Sequence, residues 1–211
     1  MSGRNWILAL ALATGVSLVM TSPAGAQQFS ADLERWREAG DAPALEWHIN
    51  VAKNKIRMER TVDGGVQIVL VDKTARSVIA LRPDKKWVSP IGEPGIIAFV
   101  MFLAPPNPGD ACLQWQQLAG QDGAPADIGC RKIGPDAIKG RNVLKYEVNP
   151  PGAPRTTHWV DPKLGFIVKS ESSNGAGLVL SHIREGKQAA DLFEVPPGYH
   201  RPERPDVKPP G

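Results

Sequence analysis

One pattern constrains this chain more than any other: short stretches in which every second residue is apolar, each closed by a turn and followed by another such stretch. Ile56 and Met58 fall on one side of such a stretch and Arg57 and Glu59 on the other; Leu144, Tyr146 and Val148 alternate with Lys145 and Glu147 in the same way. A period of two is the signature of a half-buried β-strand, and antiparallel neighbours joined by short turns make a meander. Strands are predicted over 45–51, 55–61, 66–71 and 76–82 in a first run, and over 144–148, 156–160, 166–172 and 178–184 in a second. At the front, Phe29, Ala31 and Leu33 alternate with Ser30, Asp32 and Glu34; we read a strand, with a short helix to Ala39 ended by Gly40 as the alternative. The turns carry suitable chemistry. Asp63, Gly64 and Gly65 supply positive backbone dihedrals, and Asp161, Pro162, Lys163, Leu164 and Gly165 place proline and glycine where a turn wants them. The stretch 66–71 is apolar on both faces apart from Gln67, which predicts a central strand covered on each side.

The first 26 residues have the make-up of a secretory signal peptide: Arg4, an apolar stretch over 6–20, and the small-residue ending Ala24, Gly25, Ala26. This predicts an exported, periplasmic chain beginning near Gln27, with one domain over 27–199 and a proline-rich, disordered or extended tail over 200–211. A formal net charge of +3 on 211 residues offers no dedicated polyanion surface, so nucleic acid is not an expected partner. No later apolar stretch approaches the roughly 20 residues that cross a bilayer.

Cys112 and Cys130 are the only cysteines. In an oxidising compartment the pair reads as a disulfide stapling a glycine-rich loop, rather than as a catalytic thiol, for which no Cys-x-x-Cys spacing or evident histidine partner exists. The four histidines, His48, His158, His182 and His200, show no metal-ligand spacing, and His182 shares an alternating face with Leu178 and Leu180. Neither an HExxH nor a GxSxG motif nor a Gly-rich phosphate loop occurs, so no cofactor, metal or catalytic residue is expected.

Between the two runs, Pro94 and Gly95 precede the apolar segment 96–103, and Ala104, Pro105 and Pro106 follow it. A helix of about two turns would set Ile96, Phe99, Val100 and Leu103 on one face and leave no polar side. Such a helix is either a plug buried in a curved sheet or a mobile lid over a lipid-sized cavity. These four residues are the candidate ligand-binding set. The segments around Arg57 and Arg60, and around Arg82, Lys85 and Lys86, are read either as solvated strand faces and corners or as a basic rim for a phosphate or carboxylate head group.

The order of the pieces resembles a family of uncharacterised exported proteins with the LolA-like, lipoprotein-carrier-like fold. The resemblance is carried by Phe29 to Leu33 at the mature start, by Lys55, Ile56, Arg57, Met58 and Glu59, and by Leu81, Arg82, Pro83 and Asp84. Further on it is carried by Lys145, Tyr146 and Glu147, by Trp159, Val160, Asp161 and Pro162, and by Phe193, Glu194, Val195 and Pro196. What the resemblance implies is a mainly β (α+β) fold: a curved antiparallel sheet forming an unclosed half-barrel, with short helices in its concave face. It further implies a non-enzymatic binding or carrier role toward an acyl chain, a lipid or a lipidated protein. The second expectation is an envelope interaction or stress-sensing module with a protein partner, and the third a hydrolase with dispersed active-site residues.

Overall fold

The computed structural model describes residues 28–62, 64–91, 102–105, 107–121 and 128–202. The signal-peptide reading over 1–26, the Asp63 turn position, Ile96, Phe99, Val100 and the end of the tail lie outside these residues.

Eleven strands form one antiparallel sheet. The first six are β1 (Phe29–Trp36), β2 (Ala44–Ala52), β3 (Lys55–Val62), β4 (Gly65–Asp72), β5 (Ser77–Arg82) and β6 (Trp87–Pro90). The other five are β7 (Gly129–Ile138), β8 (Arg141–Asn149), β9 (Thr156–Asp161), β10 (Phe166–Ser172) and β11 (Gly177–Glu185). The spatial order is β6-β5-β4-β3-β2-β1-β11-β10-β9-β8-β7, so each run is a hairpin meander and the two meet where β1 pairs with β11. β6 and β7 are not paired to each other, and the half-barrel stays open. The front segment is therefore a strand, as period two requires, and it is the central seam of the sheet.

The sheet has one strongly apolar face. Side chains from nine strands, among them Phe29 and Leu33, Ile49, Met58, Val69, Val78, Tyr146, Val160, Phe166 and Leu180, join in a single buried cluster. Two segments from the connection between the runs sit in this concave side. One is 102–105, whose Leu103 and Ala104 are buried; the other is the helix α1 (Ala111–Gln121), buried through Ala111 and Trp115. Helix and loop are held by a disulfide from Cys112 to Cys130 at the start of β7.

On the opposite, convex face Trp159 of β9 is buried beneath Lys145 and Lys169, and near β4 and β5 Ile68, Leu70 and Leu81 form a second cluster with Val88 and Tyr199. This gives β4 its cover on both sides. The backbone of His200, the first residue of the expected tail, donates to the Lys86 carbonyl and accepts from the Val88 amide, capping the edge of β6.

Two elements differ from the sequence reading. The cysteine loop, expected to be irregular, contains α1, because Ala111, Cys112, Trp115 and Leu118 recur at helical spacing and bury one face. β7 lacks a strand signal because Gly134 and Pro135 interrupt its alternation. It is an edge strand with a register shift at that point, where both residues are tolerated.

Candidate functional site

The concave floor beneath β8–β10 is aromatic. Phe102 stacks on Trp115 with ring centres 5.0 Å apart, and both meet the His158 ring edge-on, at 4.8 and 5.2 Å; Trp115 in turn meets Tyr146 at 5.5 Å. Each polar atom of this cluster has a partner. The Trp115 indole N–H donates to the Phe102 carbonyl at 3.0 Å, and the Tyr146 hydroxyl donates to the Pro108 carbonyl at 2.8 Å. His158 Nδ1 pairs with the Ser170 hydroxyl at 2.9 Å and Nε2 with the Thr156 hydroxyl at 2.8 Å. Burial pushes the His158 imidazole down to about 3, so it is neutral at any ordinary pH. With both nitrogens occupied and no carboxylate bonded to either, His158 is a satisfied core residue, not a base.

Of the four candidate residues read from the sequence, Leu103 lies among the described residues. It is 2 % exposed and packs in the concave cluster beside Phe102 and the start of α1. Phe102 and Leu103 are helical and Ala104 is not; the rest of the expected helix lies outside the described residues.

The convex face carries the main titratable cluster. Asp32 on β1 accepts from two imidazoles, His48 of β2 through Oδ1 at 2.5 Å and His182 of β11 through Oδ2 at 2.9 Å. Burial acts to raise the Asp32 carboxyl, but the hydrogen bonds and charges of the two histidines outweigh it and hold the group below its ordinary value. The expectation that His182 shares a face with Leu178 and Leu180 is corrected here. β11 carries one extra residue opposite β1, since Ser30 pairs with Arg184 but Asp32 with Ser181. His182 adopts φ 49° at this bulge and turns outward to Asp32.

The neighbouring Ser181 does not complete a nucleophile relay. Its hydroxyl donates to Glu34 and lies 3.3 Å from the same His182 nitrogen that Asp32 occupies, whereas a relay needs the two opposite ring nitrogens. Among the described residues no group of three or more His, Cys, Asp or Glu side chains is placed to hold a metal ion.

Among the described residues, two of the clefts that open at strand ends exceed about 300 Å³. The larger, about 640 Å³, lies where β1 and β3 end and β2 begins, and its walls include Trp36, Leu45 and Arg60. Arg60 follows Ile56 and Met58 on the concave side of β3 and lies 4.3 Å over the ring of Trp47, which itself packs on the main apolar cluster. The cleft therefore borders the apolar concave face. Trp36 closes its far side: its indole N–H donates to the Gly175 carbonyl at 2.8 Å, and its ring lies so close to Gly177 that a Cβ there would stand 2.2 Å from it. The smaller cleft, about 390 Å³, is lined by Lys53, Lys55 and Lys187 around Phe193. Of the two basic segments read as a possible rim, only part reaches a cleft wall. Arg57 is spent on Glu59 and the Leu192 carbonyl, and Arg82 on Asp84, while Arg60 lines the larger cleft.

Among the described residues no helix is long and apolar enough to cross a membrane. No family model and no curated protein matches the chain. Solved structures do. An uncharacterized conserved protein from Thermus thermophilus is 10% identical, with 86% of this chain and 93% of that one covered, at a TM-score of 0.50. PNGF-II is 12% identical over 86% of this chain, at a TM-score of 0.49, and this chain spans about a third of its length, 32%. The Pseudomonas aeruginosa MucA/MucB complex gives 16% identity over 81% of this chain and 56% of that one, at a TM-score of 0.37. Of these three, the Thermus likeness bears on architecture: the chain shares the fold of that uncharacterized protein.

Proposed function

We propose that the protein is a non-enzymatic binding or carrier protein that sequesters an apolar ligand, an acyl chain, a lipid or a lipidated protein, in the concave face of its open sheet. One observation carries the reading. Nine strands direct apolar side chains to one side of a sheet that does not close, and that side is occupied by short segments from a single connection rather than by a second sheet. The ligand-contacting set is the one read from sequence, Ile96, Phe99, Val100 and Leu103, of which Leu103 packs in the concave cluster. Apolar surface buried against an acyl chain there would be worth about 25 cal/mol per Å². The signal peptide read over 1–26 supports action in the periplasm. The chemistry of the described polar clusters favours binding over catalysis, since the buried imidazole is neutral and fully bonded and the exposed pair shares one carboxylate through a single nitrogen each.

The experiment is a titration with a dansyl-labelled undecanoate. Saturable, one-to-one enhancement of the dansyl emission, competed by unlabelled decanoate, is expected. Emission that rises linearly without saturation, and is not displaced, would overturn the carrier reading.

A further inference from the structure

The larger cleft brings three guanidinium groups together around apolar walls. Arg35, Arg37 and Arg60 line it with Trp36, Leu45 and Val62, and one carboxylate, Glu46, lies among them. Glu46 is engaged by Arg35 at 3.3 Å. Arg60 donates through Nε to Gln67 at 2.9 Å and lies 4.3 Å over the ring of Trp47; it lines the cleft and has no carboxylate partner among the described residues. Arg37 is exposed and has no ion pair among the described residues. Two positive charges are thus left uncompensated in a concave site of about 640 Å³. A planar guanidinium fixed by stacking and by one hydrogen bond is pre-organised to offer two parallel donors, the geometry that matches phosphate, sulfate or carboxylate oxygens.

We propose that this cleft is a head-group site for an amphipathic anion. The anionic group sits between Arg37 and Arg60, and the apolar body runs past Trp47 toward the concave face. The tail of this assignment rests on the carrier reading; the head-group contact does not. Arg35 with Glu46 fixes the cleft wall, and Arg60 and Arg37 provide the charge.

Three probes separate the two claims: decyl phosphate, decanol and phenyl phosphate, each titrated while following tryptophan emission, since Trp36 and Trp47 border the cleft. Decyl phosphate is expected to bind about tenfold more tightly than decanol, the scale of one charge-assisted hydrogen bond. That preference should shrink with added salt. Arg37→Glu, at an exposed position, should reduce the preference severalfold while leaving thermal stability near that of the parent, and Arg60→Gln should reduce the preference severalfold as well. Equal affinity for decyl phosphate and decanol in the parent would overturn the head-group site and leave the carrier reading standing. Arginine-dependent binding of phenyl phosphate with no binding of either decyl probe would sustain the head-group site and overturn the carrier reading. No binding of any probe overturns both.

Discussion

Arg141 is the residue that ties the second run together. Its Nε donates to Asp161 at 2.5 Å and a terminal nitrogen donates to Glu185 at 2.6 Å, linking β8 to the β9–β10 turn and to the end of β11. Asp161 is 2% exposed and its other oxygen accepts the backbone N–H groups of Lys163 and Leu164, so its charge is committed to the interior. Removing the cation strands a buried carboxylate, whereas Arg131, paired with Glu147 on the surface, carries no such burden. We expect Arg141→Met to cost about 3 kcal/mol in chemical denaturation. Arg131→Met should cost under about 1 kcal/mol. His158 sets the acid response at the same scale. Its folded pKa, about 3, lies below the ordinary value, so below pH 6.5 the unfolded chain binds a proton that the folded chain refuses. Stability should therefore fall as pH drops from about 6.5 toward 3, with this residue contributing about 1.4 kcal/mol per pH unit. In His158→Asn, the melting temperature should fall less between pH 7 and pH 5 than in the parent; an unchanged slope would refute the assignment.

Elements differ in how far they can be read. Strand β3 and the 144–148 part of β8 are legible because apolar and polar residues alternate there; β9 and β10, which bury consecutive residues on both faces, are legible instead from the glycine, proline and aspartate of the turn between them. The bulge in β11 is not legible. It adds one residue without changing residue types, and a one-residue slip turns His182 from the apolar face to Asp32. Helix α1 is hidden by the glycines around it, and its stability comes from elsewhere: Trp115 is driven into the concave cluster, and the disulfide to β7 tethers its start. With a sequence separation of 18 between the cysteines, opening the bond should destabilise the chain by about 3 kcal/mol. Cys112→Ser with Cys130→Ser should accordingly melt several degrees lower, with amide exchange accelerated first in α1 rather than in β1 or β11. Uniform acceleration across the sheet would contradict that tethering role.

At the scale of the whole molecule, two meanders each determined by local turns meet at the β1–β11 seam, a pairing between opposite ends of the chain. No local signal encodes it. It follows from both meanders needing to cover the same apolar connection. That arrangement separates the molecule into two apolar regions of different kinds: a large concave one crossed by short segments of that connection, and a small convex one sealed between β4, β5 and Tyr199. Of the ligand-binding set read from sequence, the structure places Leu103 in the concave region, and the proposed function makes this region the receiver of an apolar guest. The direct measurement is methyl NMR with isotopically labelled side chains during addition of decanoate. The account predicts saturable shifts at Met58, Val69 and Leu103, which line the concave cluster, with Ile68, Leu70 and Ile79 on the convex side unmoved. Shifts confined to the convex methyls, or none at saturating decanoate, would contradict it.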